Sequence, residues 1–171
     1  MRKAAFVALP GCLLGDLSAL LRQIQHQGWR LRVFSLDGKP TTTGEGLHLL
    51  ADAPLENTMP ADLHLLMIPG GHYTPDVYQD IRLHRFLRQY DGQRRWIAAS
   101  CEGVVCLGAA QLLGGVAFSA PASVRTNYEH ILRHAVYRPQ PITIDANIIS
   151  SDGTNPVAWM KAVKDRIDLE F

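Results

Sequence analysis

With 171 residues and a formal net charge of +1, the chain has the size of one domain that buries its own core without disulfides or metals. That charge weighs against a broad basic footprint for nucleic acid. Three cysteines, an odd number, do not suggest a disulfide framework. No stretch approaches the roughly 20 apolar residues of a membrane span, and a cytoplasmic location is the default expectation.

Ala4 to Leu9 predicts a first strand, buried on both faces because it is continuous in apolar residues rather than alternating. Pro10-Gly11 ends it. Met1-Arg2-Lys3, this run and Cys12 together have the outline of a lipoprotein signal. The run is shorter than the usual apolar region of about 7–15 residues, however, and removing it would delete a strand the fold needs. Asp16 opens a helix in which Leu17, Leu20, Leu21 and Ile24 share one face, and Gly28 closes it. Leu31 to Leu36 is a second strand with Asp37-Gly38 as its turn. Strand, helix, strand makes a parallel crossover unit.

From Lys39 to Asp62 the pattern is looser. Thr41 to Gly44 reads as loop and Leu47 to Leu50 as a short strand. Asp62 to Ile68 is a buried strand ended by Pro69-Gly70-Gly71, where two glycines permit positive φ and let backbone N–H groups face a ligand. A helical region follows from Thr74-Pro75 to about Tyr90, with Ile81, Phe86 and Leu87 as apolar contacts. Arg82, Arg85, Arg88, Arg94 and Arg95 there are expected on a solvated face rather than an anion-binding surface.

Trp96 to Ser100 and the apolar run from Val104 to Leu113 read as strand and buried helix, with Cys101 at the corner between them. The spacing Ala99-x-Cys101-x-Gly103 is that of a nucleophile elbow, whose small flanking residues let the central side chain stand above the sheet. A thiol there meets a helix N-terminus, which favours thiolate. Leu112 to Gly115 stops the helix, and Val116 to Tyr137 is unresolved by pattern. Ile142 to Asp145 and Asn147 to Ser150 read as a hairpin, and Asp152-Gly153 as a turn. Thr154 or Asn155 caps a last helix with Pro156 at its first position and Val157, Met160, Val163, Lys164 and Ile167 on its mixed face.

Ala99-Ser100-Cys101-Glu102-Gly103, with Ile68-Pro69-Gly70-Gly71 about thirty residues earlier, resembles the ThiJ/PfpI superfamily, relatives of the class I glutamine amidotransferases. The resemblance covers nearly the whole chain. It implies a single α/β domain over residues 1–171, a flavodoxin-like sandwich with a mostly parallel central sheet and helices on both faces. Such a sheet binds ligands at the carboxyl ends of its strands, so the loops holding Cys12 to Asp16, Gly70 to His72 and Cys101 to Glu102 are expected to converge.

Family members place an acid near the start of the first helix, hydrogen-bonded to the nucleophilic sulfur. Most carry Glu, and Asp16 resembles the isonitrile hydratase-like branch and the amidotransferase-like domains of some transcription regulators. Carboxylate and thiolate would share a proton and titrate as a coupled unit; the alternative is that Asp16 merely caps its helix. By resemblance, the N–H groups of Gly71 and Glu102 are the oxyanion donors, unless Gly70 and Gly71 are simple turn residues. Two departures stand out. Glu102 follows the cysteine where many members carry His, and Phe118 to Pro121 holds no histidine. His72 is the candidate base or substrate contact, with a surface role as its alternative. Cys12 is either a resolving thiol for Cys101 or an ordinary loop cysteine, and Cys106 is a core residue. His130 and His134 lie four apart, but without further ligands they do not define a metal site, and no cofactor is expected.

The leading reading is a cysteine-dependent enzyme acting on a small electrophilic substrate, with Cys101 as nucleophile tuned by Asp16. The resemblance implies isonitrile hydration, glyoxalase or deglycase chemistry, or amide hydrolysis, and Asp16 leans toward the first. The rival is a non-catalytic oxidative-stress sensor or small-ligand module using Cys101 oxidation. A homodimer is expected by resemblance alone, with no nucleic-acid or membrane partner.

Overall fold

The computed structural model describes residues 1–170. Strand β1 (Lys3–Ala8) is buried along its last five residues, as an unbroken apolar strand in a sheet covered on both faces must be. One 3₁₀ turn over Gly15–Leu17 leads into α1 (Ser18–His26), so the helical segment opens at Asp16 with the tighter geometry. Leu17, Leu20 and Ile24 are fully buried on the expected face. Gly28, at φ 72°, takes the chain out of the helix through a left-handed turn that glycine adopts without a Cβ clash. Strand β2 (Arg30–Ser35) then pairs parallel with β1 along its whole length.

The loosely patterned segment holds more pairing than expected. β3 (Thr41–Thr42) and β4 (His48–Leu49) form a small antiparallel hairpin, so Thr41 and Thr42 are strand rather than loop. β5 (Ala53–Pro54) adds to β2 at the edge of the main sheet, a place that tolerates proline's missing donor. β6 (Leu65–Ile68) is buried throughout.

The single helical region expected after it is divided into α2 (Pro75–Tyr78) and α3 (Ile81–Asp91). Asp80 causes the break, its carboxylate accepting from the backbone N–H groups of Arg82 and Leu83 as the N-cap of α3. That cap sets the phase of α3. Leu83, Phe86, Leu87 and Tyr90 face inward, and Ile81, expected as a core contact, is exposed. The arginine-rich stretch is only partly a solvated face. Arg82 pairs with Asp80 at 2.7 Å, Arg88 Nε donates to the Ala110 carbonyl at 3.0 Å, and Arg95 ties down the carbonyls of Ala61 and Leu63.

β7 (Trp96–Ser100) and α4 (Gly103–Ala109) form the central strand-to-helix unit. α4 ends before the apolar run does, because Gln111 takes a left-handed φ of 64°. The unresolved stretch becomes β8 (Ala117–Phe118), α5 (Ala122–Asn127), α6 (Glu129–Leu132) and β9 (Val136–Tyr137), with β8 and β9 paired parallel. β10 (Ile142–Asp145) and β11 (Ile148–Ser151) make the expected hairpin. α7 (Pro156–Glu170) starts at Asn155, whose Oδ1 accepts from the Ala158 N–H at 3.0 Å. Its inward face is Trp159, Val163 and Ile167, one residue every four, while Val157 is exposed. The expected face is therefore wrong at Val157 and omits Trp159.

The main sheet runs in the order β10-β11-β7-β6-β1-β2-β5. Every neighbouring pair is parallel except β10 with β11. Counting its five longer parallel strands alone, this is the 2-1-3-4-5 order of a flavodoxin-like doubly wound sheet. α1 packs with α7 and α3 with α4, giving a helical layer over each face. The strand order reverses between β1 and β6, so the loops leaving β1, β6 and β7 meet at one edge.

Candidate active site

Cys101 occupies the corner between β7 and α4 with φ 49°, a left-handed conformation that costs a non-glycine residue about 1–2 kcal/mol. Its backbone is held from both sides: the N–H donates to the Ser151 carbonyl at 2.9 Å, and its carbonyl accepts from the Val104 N–H at 3.2 Å. The side chain is thereby projected from the sheet edge, as an elbow requires. Gly103 makes the corner sterically possible, because a Cβ there would lie 2.7 Å from the Ile68 carbonyl oxygen and 3.0 Å from that of Pro69.

The Cys101 thiol donates to Asp16 Oδ2 at 3.3 Å. Ser100 Oγ donates to the same oxygen at 3.1 Å and lies 3.6 Å from the sulfur. Two of the three loops thus meet at one carboxylate. Burial works against the thiolate that the helix N-terminus favours. Burial pushes the Cys101 pKa up to about 12, with the negative charges of Asp16 and Glu102 adding to it and the hydrogen bond from Ser100 opposing it. Withdrawal from water beside two carboxylates outweighs the pull of one short helix's N-terminus. At neutral pH the site therefore holds a thiol hydrogen-bonded to a proton acceptor.

A fourth loop seals this pair. Gly153 has φ 83°, and a Cβ on it would stand 2.7 Å from Cys101 Sγ and 2.9 Å from Asp16 Oδ2. Its N–H donates to Ser151 Oγ at 3.0 Å. Sequence reasoning marked Asp152-Gly153 only as a turn and passed over Ser100. The loop after β11 leaves the same carboxyl edge as the others, and that rule was the available signal.

Gly70 and Gly71 are packed against the elbow rather than merely turning the chain. A Cβ on Gly70 would meet Cys101 Cβ at 3.0 Å, and one on Gly71 would meet the Gly11 carbonyl oxygen at 2.6 Å and Cys12 Cα at 2.9 Å. Gly71 and Cys12 form an isolated antiparallel bridge, so the loops after β1 and β6 are zipped together. The Gly71 N–H donates to Glu102 Oε2 at 3.3 Å. One of the two expected oxyanion donors is thus already engaged by a side chain. Behind it, the buried Tyr73 hydroxyl donates to the carbonyls of Pro69 and Gly70, and burial holds its pKa well above the usual phenol value.

The remaining candidates sit differently. His72 is exposed and is not a hydrogen-bond partner of Cys101. Cys12 is fully buried, with burial pushing its thiol up to about 11, a poor setting for a resolving thiol. Cys106 is a core residue, its thiol pushed up to about 12 by burial. All three cysteines are free. His130 and His134 are both exposed. Among the described residues, no group of three or more His, Cys, Asp and Glu is placed to hold a metal ion, and no helix is long and apolar enough to cross a membrane.

The fold and the elbow define a flavodoxin-like α/β protein with a carboxylate-paired cysteine at the switch point of its sheet. Residues 2–165 match the DJ-1/PfpI family, and the chain belongs to it. It is 31% identical over 101 residues to the isonitrile hydratase of Pseudomonas putida. That match spans 58% of this chain and 41% of the hydratase. Among solved structures it resembles a two-domain protein of Anabaena variabilis containing DJ-1/ThiJ/PfpI-like and ferritin-like domains, with TM-score 0.88 and 19% identity over 98% of this chain and 48% of that one. A DJ-1 superfamily protein of Agrobacterium tumefaciens superposes with TM-score 0.83 at 22% identity, over 99% of this chain and 91% of that one. For Drosophila melanogaster DJ-1beta the TM-score is 0.82 at 16% identity, over 97% and 90% of the two chains.

Proposed function

We propose that the protein is a cysteine-dependent enzyme acting on a small electrophilic carbon, with isonitrile hydration as the reaction its site supports best. The observation that carries this reading is the 3.3 Å hydrogen bond from the Cys101 thiol to Asp16 Oδ2. A thiol pushed up to about 12 attacks only if its proton is removed as the new bond forms, and Asp16 is placed to take it. In this reading the sulfur bonds to the terminal carbon of the isonitrile, and the S–H proton passes through Asp16 to that same carbon. The resulting thioformimidate adds water across its C=N bond. The C–S bond then breaks, releasing an N-substituted formamide and restoring the thiol.

Ser100 holds the carboxylate oxygen in line at 3.1 Å, and the backbone N–H of Glu102 supplies a donor for the oxygen that develops after water addition. The similarity to an isonitrile hydratase supports the choice of substrate. The rival, a peroxide sensor, needs a thiolate at rest to reach the sulfenate, and the environment of Cys101 opposes that. The test is formamide release from a simple alkyl isonitrile, followed by NMR. Wild type is expected to turn over, with Cys101→Ser and Asp16→Asn each losing at least about a hundredfold. Turnover retained in Asp16→Asn would overturn the mechanism.

A further inference from the structure

Glu102 brings a second carboxylate to the thiol. Its Oε2 accepts from the Gly71 N–H at 3.3 Å and lies 3.5 Å from where a Gly70 Cβ would stand, beside Cys101 Cβ. Asp16 approaches the sulfur from the other loop at 3.3 Å. Asp16 touches the thiol, and Glu102 adds its negative charge to the same corner. No lysine or arginine forms an ion pair with either of them among the described residues. Two clefts rich in arginine, one lined by Arg125 and Arg133 and one by Arg82 and Arg85, do not include Cys101 in their lining.

Building on the enzymatic reading above, we propose that the Glu102 side chain determines substrate specificity: by occupying the Gly71 donor and placing a negative charge beside Cys101, it admits uncharged or cationic electrophiles and turns away anionic ones. The physical argument has two parts. An anionic reagent near the sulfur meets two unneutralised carboxylates in a partly buried site, where unit charges several ångströms apart interact far more strongly than in bulk water. A substrate that must place an oxygen on the Gly71 N–H at once, such as a 2-oxo acid, has to displace Glu102 first. An isonitrile carries no oxygen and can be attacked by the sulfur with Glu102 in place. Gly71 in turn holds the carboxylate there, because its own position against Gly11 and Cys12 admits no side chain.

The experiment reads Cys101 directly and does not depend on turnover. Two methanethiosulfonates of similar size, one bearing trimethylammonium and one bearing sulfonate, are reacted with the whole protein. Labelling of Cys101 is followed by peptide mass mapping, with each rate divided by that reagent's rate on a free small thiol. The wild type is expected to favour the cationic reagent. Glu102→Gln, which keeps the side chain's length and an acceptor for Gly71, is expected to lower the cation-to-anion ratio by about tenfold, and Glu102→Asp to retain most of it. A ratio unchanged in Glu102→Gln overturns the proposal. Charge selection without formamide release would leave this inference standing and remove the hydratase reading, and formamide release with an unmoved ratio would do the reverse.

Discussion

Cys101 donates its thiol hydrogen bond to Asp16, and the surroundings of the pair set how readily the sulfur ionises. Both desolvation and the Asp16 charge raise the thiol pKa, so removing the carboxylate must lower it. Asp16→Asn is therefore expected to shift the pH profile of Cys101 alkylation to lower pH by about one unit or more, while turnover of an isonitrile falls. Reactivity toward a strong alkylating agent and catalysis then move in opposite directions, a pattern that damage to the fold alone would not produce. Gly153 is the other residue on which the pair depends. At φ 83° with Sγ 2.7 Å from a would-be Cβ, Gly153→Ala is expected to cost roughly 1–3 kcal/mol in urea unfolding. It should also break the hydrogen bond from Cys101 to Asp16, read as a lowered alkylation pKa. An unaltered alkylation profile in Gly153→Ala would show that the loop is not seated on the sulfur.

At the scale of elements, the site rests on β7, α4 and the layers that clamp them. Trp159 of α7 is fully buried and its Nε1 donates to the Ile149 carbonyl at 3.2 Å, two residues before Ser151, whose carbonyl accepts from the Cys101 N–H. Trp159→Ala removes a large core side chain and strands a carbonyl acceptor. A loss of about 3–5 kcal/mol in denaturant unfolding is expected. Asp80 is a smaller lever: Asp80→Ala deletes the N-cap of α3 and its pairing with Arg82, and about 1 kcal/mol is expected from the same measurement. Asp80→Ala lies away from the elbow and should leave the Cys101 alkylation profile in place.

For the whole molecule, three thiols share one electrostatic signature. Cys12 is pushed up to about 11, Cys101 and Cys106 to about 12, all by burial and all from an ordinary value of 9.0. A raised folded-state pKa means the native protein holds protons that the unfolded chain releases first, so stability is full below about pH 9 and is lost as pH rises through 11–12. The urea midpoint is expected to fall between pH 8 and pH 10.5. Cys106→Ala removes one of the three groups and should make that fall shallower; an identical slope in the variant would contradict the assignment. What separates them is access: Cys12 and Cys106 are fully buried and Cys101 is only partly so, which leaves Cys101 the thiol that alkylating agents reach.

The apolar runs at Ala4 to Leu9 and Leu65 to Ile68, the Gly-bounded crossover and the small-residue frame around Cys101 marked buried parallel strands and a cysteine at a strand-to-helix corner, and the resemblance of the Cys101 and Pro69-Gly70-Gly71 motifs to a known family implied the mostly parallel sheet around them. The runs and the corner are local signals, written in spacing and residue size; the complete fold was implied by the resemblance. β4 fell within the expected strand at Leu47 to Leu50, whereas β3, β5 and the break at Asp80 escaped because two-residue strands and single caps carry no periodicity. The state of the site was decided only in three dimensions. The Cys101 proton depends on how much water the four loops exclude, the Gly71 donor on where the Glu102 side chain turns, and the closeness of Gly153 to sulfur on a register set 52 residues away. Burial and distance between remote residues set these properties, and neither is written in the neighbours of any one of them.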